Sequence, residues 1–401
     1  MPPTTTPKRH LFTQSELESY FNRISFPKDS RIYNVSHLSE PEKLTFLTLL
    51  QSYQLVAVPW ENVTQHYSWH RVVHISPRHL FRKIVDNPGR GGYCMEVNYF
   101  FHHILYSLGF DTYMCGSRIF NTGSGKFGGW THVVNLVRIG GKKYLCDGGY
   151  GAAGPTGPLV LEDGLVQGQV APAESRLVWE GMEENLNDGM RVWKYQHRFC
   201  APNESPSEDE DEEDQYEDGE DEYSDEDVDY DYDYDHDSRP PSPTLHRHRH
   251  HRNKPSQSTS TTWTTHYCFP DFEFTPADIS AMNFAPSTNP QTFFTHTLVA
   301  SRFTFSTEKN STRGPCHPSS SSNTPTLSHP APPGEIDGAI TLVHDILKWR
   351  RNGKKVVEWK LKDEGERVQA LEMYYGIVLD EEDREAIRGT AAAIRERGTA
   401  D

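Results

Sequence analysis

The sequence predicts an α+β fold in which helices come first and strands follow, and three observations carry that prediction. Through about residue 112, apolar residues recur at helical spacing, as in Gln14–Ile24 and Pro41–Gln54. From Thr112 to Phe274, short runs rich in β-branched and aromatic residues dominate. The remainder mixes strand-like runs, Thr292–Phe305 and Gly338–Ile346, with a hairpin-like run at Arg350–Leu361 and a helical pattern at Asp363–Tyr375. No internal repeat is apparent.

The helical part ends on a segment that carries chemistry. In Arg90-Gly91-Gly92-Tyr93-Cys94-Met95-Glu96-Val97-Asn98, two glycines suit a tight entry into a helix whose apolar face is Val97, Phe101, Ile104, Leu105 and Leu108, with Gly109 as its stop. Cys94 therefore sits at a helix N-terminus. There the macrodipole and the free N–H groups favour thiolate, the reactive form of cysteine. A nucleophile needs a base, and the strand part supplies a candidate. Thr131–Ile139 and Lys142–Asp147 flank Gly140-Gly141 and read as a β-hairpin. With a two-residue loop, Ile139 pairs with Lys142, and His132 and Asp147 become diagonal neighbours on one face, roughly 7–8 Å apart in backbone. A three-residue loop would send them to opposite faces. On one face, Cys94, His132 and Asp147 make a cysteine-protease-like Cys-His-Asp triad, with Asp147 fixing the imidazole tautomer. Taken singly, His132 reads equally as a structural histidine and Asp147 as a turn former.

Bulk properties bound the function. The chain has 401 residues, enough for two or three domains and a sizeable core. The first ten residues lack an apolar signal region and no eighteen-residue apolar run occurs, which argues against secretion and membrane spanning. Six cysteines (94, 115, 146, 200, 268 and 316) without a Cys-x-x-Cys pair suit a reducing, cytoplasmic setting and no metal site. The net charge of −17 belongs to one tract: 21 Asp and Glu, with no Lys or Arg, lie between Glu204 and Asp237, and without them −17 becomes +4. With the His/Arg run His246–Arg252, this tract reads as a disordered insertion over 204–258. It interrupts a hairpin whose strands are Arg191–Phe199 and Thr261–Phe269. Ser306–Pro333 reads as a Ser/Pro/Thr-rich loop.

The motif around Cys94 resembles the active-site run of the arylamine N-acetyltransferase family, and further segments match in family order. Trp130-Thr131-His132 is similar to its histidine strand, and Asp147-Gly148-Gly149-Tyr150-Gly151 to its Asp-x-Gly-aromatic-Gly turn. Val58-Pro59-Trp60-Glu61-Asn62 is similar to its Pro-Phe-Glu-Asn segment, with tryptophan in place of phenylalanine. Met282–Thr295 and the tail from Gly338 to Ile377 are similar to its interdomain and C-terminal portions, and the long insertions look like those of fungal members.

The resemblance implies an N-terminal helical bundle (1–112), a β-barrel carrying His132 and Asp147 (113–276) and an interdomain segment with a C-terminal α/β lid (277–401). It implies xenobiotic detoxification by ping-pong transfer of an acetyl or other short acyl group. The acyl group passes from acyl-coenzyme A through a Cys94 thioester to an arylamine, arylhydrazine or N-arylhydroxylamine. Acyl-CoA is a co-substrate, and no bound cofactor, nucleic acid or membrane partner is expected. Oligomeric state is not legible. The glycine-rich loop before His132 would let coenzyme A approach closely, through Gly128, Gly129 and Thr131, while Trp60 and Tyr150 would wall the acceptor pocket. The alternatives are a malonyl-CoA-preferring member of the same family, a cysteine hydrolase, or a non-catalytic interaction protein whose acidic tract recruits basic partners.

Overall fold

A computed structural model describes residues 9–199, 262–309 and 334–394, so the acidic and His-rich tracts and most of the Ser/Pro/Thr-rich stretch lie outside the described residues. The N-terminal part holds α1 (Gln14–Arg23), α2 (Glu40–Ala57), the short β1 (Trp60–Glu61), α3 (Val63–His66), α4 (Pro77–Ile84) and α5 (Cys94–Ser107). The starts of α1 and α2 are written locally as capping boxes. Glu16 accepts the Thr13 N–H at 2.8 Å, and Glu42 accepts the Ser39 N–H at 2.8 Å. Gly109, at φ +85°, ends α5 where the sequence places its stop.

The middle part is an antiparallel sheet of β2 (Asp111–Asn121), β3 (Lys126–Ile139), β4 (Lys142–Cys146), β5 (Leu159–Val160), β6 (Val166–Gly168), β7 (Ala173–Glu180), β8 (Val192–Phe199) and β9 (Thr264–Phe269). Its order is β5-β4-β3-β2-β9-β8-β7-β6. The edges meet where Gln167 of β6 accepts the Val160 N–H of β5 at 3.1 Å, so the sheet curls into a nearly closed barrel. The β3–β4 register is that of a two-residue loop: Ile139 pairs with Lys142 and Asn135 with Cys146, with Gly140 and Gly141 both at positive φ. Along β3, Val134 and Leu136 point into the barrel while Val133 and Val137 pack outward on the helices. The acidic insertion separates β8 from β9, which pair with each other.

The C-terminal part carries α6 (Pro276–Met282), α7 (Phe284–Thr288), α8 (Phe293–His296), β10 (Val299–Phe305), β11 (Ile336–Val343), β12 (Ile346–Arg351), β13 (Lys354–Lys360), α9 (Glu364–Ala370), a π turn at Leu371–Tyr375 and α10 (Glu381–Ala386). Its sheet runs β1-β10-β11-β12-β13 and encloses its own core, in which Leu342, Leu347, Leu371 and Tyr375 are fully buried. Because β1 is the edge strand, this sheet reaches the chain just before Cys94: the Glu61 N–H donates to Gly92 O at 3.1 Å. The strand expected over Thr292–Phe305 begins only at Val299. The buried Asn62 amide donates to Phe294 O and Thr297 O and accepts the Val299 N–H, holding 293–297 in a helical turn.

Candidate active site

Cys94 is the first residue of α5, and its thiol donates to Thr131 O at 3.6 Å. Two glycines set this position. A Cβ on Gly91 would lie 1.8 Å from Pro59 O, and one on Gly149 would lie 2.7 Å from the Cys94 Cα, so neither site tolerates a side chain. The Asp147 turn thus packs directly on the backbone of the cysteine.

Asp147 follows the last paired residue of β4 and bends back under β3. Its Oδ2 lies 2.8 Å from His132 Nε2. Its Oδ1 accepts from Asn98 Nδ2 and from the Gly149 N–H, each at 2.8 Å. With Nε2 held by Asp147, the other ring nitrogen, Nδ1, is the one left for the thiol. All three side chains are buried, at 3 %, 2 % and 1 % exposure for Cys94, His132 and Asp147. Burial alone would make His132 less basic, but the Asp147 charge and hydrogen bond, with Cys94 beside it, raise it to about 10. Burial alone would raise Asp147, and the His132 charge, the Asn98 amide and the Gly149 N–H overcome it and hold the carboxyl below its usual range. Each partner thus favours the charged form of the other.

A pocket of about 20 Å³ opens at the sulfur, room for about one water in this conformation. Trp60, Thr131, His132, Gly149 and Tyr150 line it with Cys94, and so do Ile119 and Phe294, which the sequence did not single out. Gly128 and Gly129 are not in that lining. They lie on β3 rather than in a loop, since the turn is confined to 122–125 and Phe127 already pairs with Phe120. Gly128 O accepts from Arg118 Nη1 at 2.9 Å, and Gly129 has open space above its Cα.

Asn98 was legible in part. It lies four residues after Cys94 on the same helix face, a spacing that places it over the site. Its amide donates to Val133 O at 2.6 Å and to Asp147, and its Oδ1 accepts the Gly148 N–H at 2.9 Å, joining α5, β3 and the Asp147 turn. A second buried cluster lies on the other side of the α5 start. Glu96 accepts from Lys83 at 2.6 Å, and Glu61 accepts from Arg90 Nε at 3.1 Å and from the Gly91 and Val63 N–H groups. Burial would raise Glu61, but Arg90, Lys83 and the Val63 N–H bring it down to about 2. Burial, with the Glu61 charge next to it, keeps Glu96 above its usual value even beside Lys83. Among the described residues no group of side chains has the makings of a metal site, and no helix is long and apolar enough to cross a membrane.

Comparison with known proteins bears on the family and the fold. Residues 43–310 match the N-acetyltransferase family model. The N-malonyltransferase FDB2 of Gibberella moniliformis is 27 % identical over 400 residues, spanning 94 % of this chain and 93 % of that protein. Mouse arylamine N-acetyltransferase 2 is 35 % identical over 167 residues, 41 % of this chain and 53 % of that one. The fold is shared with the arylamine N-acetyltransferase of Salmonella typhimurium, at TM-score 0.59 and 20 % identity over 94 % of this chain and 98 % of that one. It is also shared with the Mycobacterium marinum enzyme solved in complex with CoA, at TM-score 0.58 and 20 % identity over 93 % and 99 %.

Proposed function

The chain belongs to the arylamine N-acetyltransferase family, and on that premise we propose that it moves a short acyl group from acyl-coenzyme A through a Cys94 thioester to the nitrogen of an arylamine, arylhydrazine or N-arylhydroxylamine. The observation that carries this reading is a buried cysteine at a helix N-terminus beside a histidine hydrogen-bonded to a buried carboxylate. The imidazolium and the first-turn N–H groups of α5 stabilise a Cys94 thiolate. That thiolate attacks the acyl carbonyl, and collapse of the adduct expels the CoA sulfur, which takes the proton from His132. One thioester replaces another, so the step is close to thermoneutral. The amine then attacks the enzyme thioester, neutral His132 accepts its proton, and thiolate and imidazolium are restored. Asp147 stays ionised throughout and keeps the imidazole oriented. Burial of the sulfur limits access of water, which favours aminolysis over hydrolysis.

A malonyl donor is the second reading. Its support is that the FDB2 N-malonyltransferase matches along nearly the whole chain, whereas the mouse N-acetyltransferase matches over less than half. Initial rates measured against acyl-CoA at several arylamine concentrations test the two-step scheme. Parallel double-reciprocal lines are expected, and intersecting lines contradict a free acyl-enzyme.

A further inference from the structure

One stretch of the C-terminal sheet carries the charge opposite to that of the acidic tract. From Lys348 to Lys355 the sequence holds five Lys and Arg and no Asp or Glu. This stretch is the end of β12, a turn at Asn352-Gly353 and the start of β13, the outermost strand of its sheet among the described residues. Alternation sets Lys348 and Arg350 on the face opposite Leu347 and Trp349, which lie in the core. Pairing of Lys348 with Glu358 and of Arg350 with Lys355 gathers the cations on that outer face. Arg351 is already spent on Asp337, at 2.6 Å, and on the Ser306 and Glu308 carbonyls. Lys355 pairs with Glu358 inside the hairpin, while Lys348, Arg350 and Lys354 make no ion pair among the described residues. Lysine on an edge strand guards it against pairing with other chains, which accounts for Lys354 and Lys355. It does not account for Lys348 and Arg350, which stand on the inner strand β12.

The fold brings this hairpin to the point where the acidic tract leaves the barrel. The Gly353 turn packs against Pro172, since a Cβ on Gly353 would lie 2.7 Å from Pro172 Cδ. The next residue, Ala173, pairs with Phe199, the last described residue before the tract, and the returning strand pairs Thr264 with His197. Glu204 follows Phe199 by five residues, a span of at most about 17 Å when extended. We propose that the outer face of the β12–β13 hairpin is a docking surface for this chain's own acidic segment, Glu204–Asp237. The rival cations, in His246–Arg252, include only three arginines, which leave most of the 21 carboxylates unmatched, and unperturbed histidine is largely neutral at pH 7. Each exposed ion pair is weak by itself, but tethering both partners in one chain raises their effective concentration, and several pairs form together. Docked in this way, the segment ties the barrel to the C-terminal sheet through charge alone, independently of the chemistry at Cys94.

The test joins carboxylates to lysine amines with a carbodiimide at low salt, using the full chain as a mixture of isotope-labelled and unlabelled copies, and locates the links by mass spectrometry. Links from residues 204–237 to Lys348, Lys354 or Lys355 of the same copy are expected, about tenfold or more above links to the exposed Lys28. They should disappear in about 1 M salt, where the screening length falls to about 3 Å. Equal yields at Lys28, links to Lys254 alone, or links only between copies overturn the docking. A second arm replaces Lys348, Arg350, Lys354 and Lys355 together by Gln; none of the four is buried. At low salt the variant's hydrodynamic radius is expected to exceed that of the wild type, and the difference to vanish in about 1 M salt. Identical radii at low salt overturn the proposal.

Discussion

Two buried clusters of charge flank the first turn of α5, and they differ in what they leave unfinished. In the Glu61–Lys83–Arg90–Glu96 cluster two carboxyl groups face two cations. Arg90 also donates to Thr64, and backbone N–H groups complete Glu61. None of these four side chains lines the Cys94 pocket, and the cluster holds the loop before Cys94 in place. In the other, Asp147 has its oxygens filled by His132, Asn98 and Gly149, but His132 and Cys94, set against each other, line the pocket. Saturated ion pairs make a scaffold. The same kind of pairing, with one valence left over beside a cavity, makes a reactive site.

The largest effect expected is from Cys94→Ser: turnover and acyl-enzyme formation fall to background while the melting temperature stays near that of the wild type. Appreciable turnover by the pure variant removes Cys94 as nucleophile. Next is Asp147→Asn, which removes the main group holding the imidazole protonated and oriented. Turnover falls roughly 10²- to 10⁴-fold. A histidine NMR titration should show the His132 transition moving down from about 10. The sign for stability follows from the same shift. Because folding raises His132 from 6.5, its contribution is complete below about pH 6.5 and is lost as pH rises through about 10. Asp147, lowered from 3.8, contributes above that pH and loses its contribution as the solution is acidified below it. Wild type should therefore lose more stability between pH 7 and 10 than Asp147→Asn does, and equal losses would detach His132 from Asp147.

The scaffold cluster should break differently. Glu61→Gln leaves Arg90 and Lys83 short of their buried partner and should cost roughly 3–5 kcal/mol in chemical denaturation. The surviving folded protein should keep more of its turnover than Asp147→Asn keeps. If Glu61→Gln were stable but inactive, the division between scaffold and site would fail. A smaller effect is expected from deleting Ser205–Ser256 with a short Gly-containing turn, since β8 and β9 already pair without the segment. Turnover should persist, and the Michaelis constant for acyl-CoA should fall at low salt as a block of negative charge is removed. Loss of activity in a folded deletion protein would place the tract in the site. Smallest is Asp163→Asn, whose carboxylate accepts one exposed N–H, from Trp179 at 2.9 Å, and whose stability change should stay within about 0.5 kcal/mol.

The parts of this site that local chemistry writes were legible in the sequence. Gly140-Gly141 specifies a two-residue hairpin, and that register puts His132 and Asp147 on one face. The ladder stops at Asn135–Cys146, one residue earlier than simple extension of the pairing suggests, and the stop frees Asp147 to bend toward the imidazole. What stayed hidden depends on contacts between distant segments. Phe294 joins the pocket because Asn62, some 230 positions away, holds its carbonyl. His266 faces Tyr150 because of a bulge that no alternation pattern displays. Glu61 and Arg90 stand within the Pro-Trp-Glu-Asn and Arg-Gly-Gly segments, yet nothing in their spacing says that they meet. A Gly-rich run reads as a loop over Gly128 and Gly129, while the pairing of Phe120 with Phe127 extends the strand through it.

The most direct test of the central claim is mass spectrometry of the Cys94 peptide after brief exposure to acetyl-CoA or malonyl-CoA, followed by an arylamine. The account predicts an acyl mass on Cys94 alone, absent in Cys94→Ser, that disappears when the arylamine is added and reappears on the amine. No adduct, an adduct on another residue, or one that decays equally fast without the amine would contradict it.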